Sequence, residues 1–196
     1  MLRLTTVTLL FGTLLATTSM AQQSAAPSQG PAQLQQVASF EHQVTGVAVS
    51  KDGRIFVNFP RWTEDAPISV AEVTRDGQIK PYPDDEWNSW RNAKKNQMSA
   101  GDHFVCVQSV VTDAHGNLWV VDPAAPATAP VVPGGPKLVR IDLKTNKVAQ
   151  VIRFDETVAP QGSYLNDVRF SPDGRHAYLT DAGAKGALVV VDLQNS

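Results

Sequence analysis

Three stretches of the chain can be laid over one another, and each consists of two short apolar runs joined by a tight turn. They are VTGVAVSKDGRIFVNFP from Val44, VQSVVTDAHGNLWVVDP from Val107 and LNDVRFSPDGRHAYLTDA from Leu165. Their turns contain Gly53, Gly116 and Gly174, which lie 63 and 58 residues apart. Glycine at this position supplies the positive φ that a tight hairpin turn requires. The repeat therefore predicts antiparallel hairpins that recur at a long, regular interval.

A hairpin of a second kind follows each of the first two repeats. SVAEVTRDGQIKPY turns at Asp76-Gly77 and KLVRIDLKTNKVAQVIRF turns near Thr145-Asn146, whereas a third such hairpin begins at ALVVVDLQNS and stops at Ser196. Each unit then holds four short antiparallel strands, which is typical of a β-propeller blade. A β-sandwich is the alternative, but it explains the long period poorly.

We therefore predict an all-β fold, a β-propeller truncated to about two and a half four-stranded blades. The blades are expected at about residues 44–82, 107–154 and, incomplete, 165–196. A propeller needs several blades to close its ring and cover its edges. The chain is accordingly expected to be the N-terminal part of a longer protein.

The N-terminal segment has the order of a signal peptide. Arg3 precedes an apolar stretch from Leu4 to about Ala16, and small residues follow at Ser19 and Ala21. We predict a signal peptide over 1–21, a flexible Ser/Pro/Gln/Ala-rich linker over 22–37 and propeller sequence over 38–196. The expected location is secreted or periplasmic, with no membrane contact after signal cleavage.

Charge and cysteine content narrow the range of partners. The net charge is −2 and no Lys/Arg stripe exists, so nucleic acid is not an expected partner and a small-molecule ligand is. The single cysteine, Cys106, cannot form an internal disulfide. It alternates with valines in HFVCVQSVV, which predicts a buried structural thiol.

Blade geometry predicts where the polar residues meet. The innermost strand of a blade and its neighbour are antiparallel, so the start of the first and the end of the second lie at one rim of the ring. Asn166 and Asp181 should share that rim. Repeat equivalence adds Asn58, Arg61, Trp62, Ser109, Asp122 and Asp167. Polar groups that converge on a channel mouth predict a ligand site, and the candidates we select are Arg61, Trp62, Asp122, Asn166 and Asp181.

Each candidate also has a structural interpretation. Asp122 and Asp181 would cap the loops that follow their strands, and Asn166 with Asp167 would form a strand-entry turn. Arg61 would pair with a neighbouring carboxylate. Trp62 would pack between blades. The sequence leaves both interpretations open.

Five blocks of the sequence resemble, in this order, successive blocks of the Yellow / major royal jelly protein family in its bacterial branch. They are RIFVNFPRW, IKPYPDDEWN, VQSVVTDAHGNLWVVD, PKLVRIDLKTNKVAQVIRF and VAPQGSYLNDVRFSPDGRHAYLTDAG. The resemblance runs from about residue 38 to the end. It implies a secreted six-bladed propeller, related to gluconolactonase-like propellers, of which roughly the second half is missing here.

The resemblance implies two classes of function. In the first, the propeller binds a small amine or hydroxylated aromatic ring in its channel, or converts it as the dopachrome-converting relatives do. Asp181 or Asp122 would then pair with the amine, and Trp62 or Phe59 would offer a ring face. In the second, an oxygen cage holds Ca²⁺ or another divalent cation that polarises a lactone, and Asn166 is the candidate metal ligand.

A non-catalytic secreted protein is the third alternative. The sequence assigns no catalytic residue, and the chain by itself is not expected to be active.

Overall fold

The computed structural model describes residues 33–63, 65–128 and 130–196. The predicted signal peptide, 1–21, lies outside the described residues, as does the predicted linker up to residue 32. Contacts divide the chain into Met1–Gln35 and Gln36–Ser196, and the second unit carries all the sheets described below. In the parts of the chain that the structure describes, no helix has the length and apolar character that crossing a membrane requires.

Eleven strands in the described residues form three antiparallel sheets. The first sheet holds β1 (Gly46–Val49), β2 (Ile55–Asn58), β3 (Val70–Val73) and β4 (Ile79–Pro81), side by side in that order. The second holds β5 (Ser109–Thr112), β6 (Asn117–Asp122), β7 (Lys137–Asp142) and β8 (Lys147–Arg153). The third holds β9 (Leu165–Phe170), β10 (His176–Asp181) and β11 (Ala187–Asp192). Short 3₁₀ turns occupy Asn92–Lys94, Ala100–Asp102 and Pro126–Thr128.

The hairpin turns form at the glycines that the repeat singles out. The φ angles of Gly53, Gly116 and Gly174 are 85°, 83° and 69°. The second hairpins turn at Gly77, with φ 79°, and Asn146, with φ 56°. These are left-handed conformations that side-chain-bearing residues adopt at a cost, so the turn residues fix where each strand pair begins.

The middle sheet packs on both of its neighbours through alternate residues of β6. Leu118 and Val120 belong to the apolar cluster shared with the first sheet, together with Phe56 and Val110. Trp119 and Val121 belong to the cluster shared with the third sheet. Side chains alternate between the two faces of a strand, so one strand fills both interfaces.

The innermost strands β1, β5 and β9 are neighbours, as they are around a propeller channel. The predicted all-β propeller fold is confirmed: the described residues form two four-stranded blades and a third sheet of three strands.

The first and third sheets expose apolar side chains, whereas the middle sheet exposes no large ones among the described residues. Val44, Val47 and Val49 are exposed next to or on β1, and Tyr178, Leu188 and Val190 are exposed on β10 and β11. These faces point away from the middle sheet's interfaces. On the first sheet, part of this outer face is covered, because Ala38 and Phe40 pack against Val57 and Val73.

Candidate functional site

One rim of the partial ring collects the starts of the innermost strands and the ends of their neighbours. In register, Gly46 lies opposite Asn58, Ser109 opposite Val121, and Leu165 opposite Asp181. The structure therefore brings Asn166 and Asp181 to one rim, together with the ends of β2 and β6. What these side chains do there differs from one to the next.

Four half-buried side chains form a hydrogen-bonded chain along this rim, which we call the rim relay. Trp62 Nε1 donates to the Tyr164 hydroxyl at 2.5 Å, and that hydroxyl donates to Gln108 Oε1 at 3.1 Å. Gln108 Nε2 donates to Asn166 Oδ1 at 2.8 Å. The rim relay links residues of all three sheets, because Trp62 follows β2, Gln108 precedes β5 and Asn166 lies in β9.

The order of donors and acceptors along the rim relay is fixed by the indole of Trp62. An indole N–H can only donate, so the Tyr164 oxygen accepts from Trp62 and its own hydrogen goes to the carboxamide oxygen of Gln108. The Gln108 amide then faces Asn166 with an N–H, which occupies the Asn166 oxygen. The Asn166 amide nitrogen is the group left at the end of the rim relay. It offers N–H donors, which suit an oxygen acceptor on a ligand.

Tyr164 also lines a cavity of about 720 Å³ on the same rim. Loop residues complete its wall, among them Thr128, Ser163 and Gly183. A cavity of this size lies in the range of small-molecule sites. Burial raises the pKa of the Tyr164 phenol, so the hydroxyl keeps its proton and remains a donor at neutral pH.

Asp122 does not face a ligand, because its positively charged partner is Lys137 of the same chain. Its side chain is fully buried, and Lys137 Nζ lies 2.8 Å from Oδ2. The backbone N–H groups of Val105, Cys106 and Ala124 donate to the same carboxylate at 2.7, 2.9 and 2.9 Å. The expectation that Asp122 pairs with a bound amine is therefore wrong, because Lys137 and three backbone amides already satisfy its carboxylate.

Asp181 caps the loop beside Tyr164. Ser163 Oγ donates to its carboxylate at 2.6 Å, and the backbone N–H groups of Tyr164 and Gly183 each donate at 2.7 Å. Partial burial opposes ionisation, but these hydrogen bonds outweigh it and hold the pKa of Asp181 below its usual value. Asp181 thus positions the backbone that carries Tyr164.

Arg61 is buried behind the rim and ties two segments together. Its guanidinium donates to the carbonyls of Phe104 at 2.7 Å and Val105 at 3.0 Å, and to Ser69 Oγ at 2.5 Å. Asp65 forms an ion pair with it at 3.0 Å. The structural interpretation of Arg61, pairing with a neighbouring carboxylate, is the one observed. Of the Arg61-Trp62 pair, Trp62 is the residue that joins the rim relay.

Asn166 does not lie in a metal cage built by the described residues. Its oxygen, the atom that a cation would need, accepts the hydrogen bond from Gln108. Asp167 next to it pairs with Arg169 at 2.8 Å. Among residues 33–63, 65–128 and 130–196, no group of three His, Cys, Asp or Glu side chains could hold a metal ion.

Sequence reasoning missed Gln108 and Tyr164. A signal for Gln108 was present, because Thr45, Gln108 and Asn166 each stand eight residues before the turn glycine of their repeat. Thr45 belongs to the same rim, since its Oγ1 donates to the Gln108 carbonyl at 3.2 Å and accepts from Asn58 Nδ2 at 2.9 Å. The three blades thus place a polar side chain at an equivalent position.

Cys106 lies beneath this rim and is fully buried, in agreement with the predicted structural thiol. Burial raises the pKa of the thiol to about 12, and the nearby Asp122 charge adds to the effect. Such a thiol is neutral at physiological pH and is a poor nucleophile.

Comparison with known families gives one match. Residues 105–196, which contain the second and third sheets, match the sequence model of the major royal jelly protein family. The resemblance drawn from the five blocks is confirmed over this part of the chain. A search of curated proteins gives no match.

Solved structures share the fold at low identity. A gluconolactonase from Xanthomonas campestris superposes with a TM-score of 0.51 at 15% identity, over 78% of this chain and 45% of its own. A protein from Bacteroides uniformis, proposed to be a 6-phosphogluconolactonase, gives a TM-score of 0.44 at 14% identity, over 78% of this chain and 38% of its own. The chain therefore spans less than half the length of these structures.

Proposed function

We propose that the chain contributes a binding site for a small hydroxylated molecule, aromatic rings included; the match of residues 105–196 to the major royal jelly protein family supports this proposal. The observation that carries the proposal is the rim relay, which ends in the amide N–H donors of Asn166. Hydroxyl and carbonyl oxygens accept such donors. Tyr164, which is linked to Asn166 through Gln108, lines a cavity on the same rim, and the ring of the ligand is proposed to lie between the two.

The geometry favours a hydroxylated ligand over an amine. An amine would need an available carboxylate. Lys137 neutralises Asp122, and the oxygens of Asp181 accept from Ser163 and two backbone amides, which occupy them without cancelling the charge. The donors that remain on the rim recognise oxygen. Conversion of the bound ring, in the manner of the family's dopachrome-converting members, is proposed only for a complete ring of blades.

A metal-dependent lactonase is the second candidate, and the fold shared with the Xanthomonas campestris gluconolactonase favours it. In that case Asn166 would turn its oxygen away from Gln108. Carboxylate ligands to complete a Ca²⁺ site would come from outside the described residues, in which no group of three His, Cys, Asp or Glu side chains could hold a metal ion. A secreted protein without catalytic activity is the third candidate.

We also propose export from the cytoplasm, because the first 21 residues have the charge, apolar and small-residue zones of a signal peptide in order. N-terminal sequencing of the protein recovered outside the cytoplasm tests this. A mature chain that begins near Gln22 supports export, whereas recovered protein that still carries Met1 and the apolar segment overturns it.

Titration with catechol, followed by NMR or calorimetry, tests the rim site. We expect Asn166→Ala to weaken catechol binding about tenfold, as expected when a hydrogen-bond donor to the ligand is lost. Asn195→Ala, an exposed asparagine in the turn after β11, is the matched control and should bind as the parent does. Equal affinities of the Asn166 and Asn195 variants would contradict the proposal.

Calcium addition separates the two candidate functions. A ligand that binds only the folded state raises the melting temperature by mass action. A rise with CaCl₂ that Asn166→Ala abolishes would favour the lactonase candidate, whereas a rise with catechol alone would favour the hydroxylated-ligand site.

A further inference from the structure

A cleft of about 520 Å³ opens between the second and third sheets at the rim opposite to the rim relay. The turn that joins β5 to β6 lines one side, and the start of the turn after β9 lines the other. The His115 imidazole lies close to the Gly174 turn, so the two turns meet across the cleft. We call this the interblade cleft. None of the residues discussed for the rim relay lines it.

Arg140 on β7 lines the interblade cleft. Its guanidinium carbon lies 5.8 Å from the centre of the Trp119 ring, a cation–π contact. Its Nε is buried with no hydrogen-bond partner. Within the described parts of the chain, no ion pair joins Arg140 to a carboxylate. A buried N–H without an acceptor is costly, so the protein leaves Arg140 incompletely satisfied, and a ligand would meet it through the part of the side chain that lines the cleft.

The other charged groups of the interblade cleft are already engaged. Asp113 accepts four hydrogen bonds, from the backbone N–H groups of His115 and Asn117, from Asn117 Nδ2 and from Trp119 Nε1. Arg169 pairs with Asp167 at 2.8 Å. Among the described charged groups that line the interblade cleft, Arg140 is thus the one that no carboxylate engages, while the Asp113 carboxylate has its acceptor positions filled by neutral donors.

The walls beside Arg140 are apolar and in part aromatic. Trp119 packs on Phe170 with ring centres 5.0 Å apart, and Val111 and Leu193 also line the interblade cleft. A ligand with a flat apolar body could lie along these walls. Its charged end would meet a guanidinium, whose parallel N–H groups match the two oxygens of a carboxylate.

We propose that the interblade cleft binds a small monocarboxylate with an apolar or aromatic body, held by Arg140 through its carboxylate. A dianionic phosphate suits the cleft less well, because a single unpaired cation stands beside the Asp113 carboxylate. This site is independent of the rim relay and of the function proposed for it.

Sodium benzoate is the probe, titrated by calorimetry or NMR at constant ionic strength, because salt screens the exposed part of such an interaction. We expect saturable binding of benzoate and much weaker binding of benzyl alcohol, which has the ring without the charge. Arg140→Gln should weaken benzoate binding about tenfold or more, as expected for the loss of a charge-assisted pair. Arg140→Lys keeps the positive charge but not the paired N–H groups of the guanidinium, so its affinity for benzoate should lie between those of the parent and Arg140→Gln.

Arg75→Gln is the matched control, since Arg75 is exposed in the turn between β3 and β4 and its loss should leave the affinity unchanged. Thermal melting of each variant confirms that it is folded. The proposal is overturned if benzoate does not saturate, if benzyl alcohol binds as tightly, or if folded Arg140→Gln binds benzoate as the parent does. Asn166→Ala should not change benzoate affinity, which separates this site from the rim site.

Discussion

Lys137 Nζ lies 2.8 Å from Asp122 Oδ2, and both side chains are fully buried. Lys137 also donates to the carbonyls of Ala100 and Gly135, each at 2.9 Å. Burial lowers the pKa of Lys137, and the Asp122 carboxylate opposes that effect. The pair joins the facing ends of β6 and β7 to the segment that leads into β5, so it holds together the backbone behind the rim.

Lys137→Met should destabilise the protein strongly. The substitution leaves the buried Asp122 carboxylate without a counter-ion, and breaking a buried pair in this way typically costs about 3–5 kcal/mol. Urea denaturation gives the free energy of unfolding. Lys147→Met, at an exposed position at the start of β8, should change it by less than about 0.5 kcal/mol. Equal stabilities of the two variants would show that the pair does not support the fold.

Asp181→Asn should reduce stability at neutral pH by about 1–3 kcal/mol, the range for hydrogen bonds to a charged group. The pKa of Asp181 is lowered in the folded state, so its contribution is present above the usual carboxyl pKa and is lost as pH falls through the folded value. The stability difference between Asp181→Asn and the parent should therefore shrink on acidification.

Urea denaturation across the acid range measures this difference, with Glu156→Gln as an exposed control. Catechol affinity is the second readout for the same variant. If Asp181→Asn loses catechol binding and keeps its stability, Asp181 contacts the ligand and the capping role fails.

The repeats were sufficient to predict the sheets, because each tight turn needs a glycine or asparagine in a left-handed conformation and the sequence shows these residues at regular intervals. The shared rim of Asn166 and Asp181 followed from strand direction alone. The ion pair of Asp122 with Lys137 did not follow from the sequence, because Lys137 lies 15 residues further along the chain. Register places the two opposite each other across β6 and β7, but the long intervening loop hides that pairing in the sequence.

The rim relay could not be predicted for a similar reason. Tyr164 and Trp62 are 102 residues apart, and their contact depends on how the third sheet packs beside the first two. Gln108 could have been predicted from the sequence, because it occupies the same position in its repeat as Asn166 does. The prediction used Ser109, one residue later.

Tyr164→Phe should cost about 1–3 kcal/mol of unfolding free energy, because it leaves the Trp62 N–H without its acceptor and Gln108 without its donor. Urea denaturation followed by tryptophan fluorescence measures this cost. Tyr178→Phe removes the same hydroxyl from an exposed tyrosine on β10 and should be neutral. If the two variants unfold alike, the rim relay contributes nothing to stability.

Cys106 should resist alkylation in the native protein. Its thiol is fully buried and burial raises its pKa to about 12, so reactive thiolate is scarce at pH 8. Mass spectrometry after iodoacetamide treatment should show an unmodified native chain and a modified chain in urea. Rapid alkylation under native conditions would mean that the cluster around Cys106 opens readily.

The coverage of the sheets is uneven, and this has a consequence for how the protein opens. Within Gln36–Ser196, the large apolar side chains that are exposed lie on or next to the first and third sheets, although Ala38 and Phe40 cover part of the first; the second is covered on both faces. In stacked architectures each layer is stabilised mainly by its neighbours. Local opening should therefore begin at either flank at low free energy and leave the central sheet until last. We therefore expect β6 and β7, the strands that carry Asp122 and Lys137, to be the last to open.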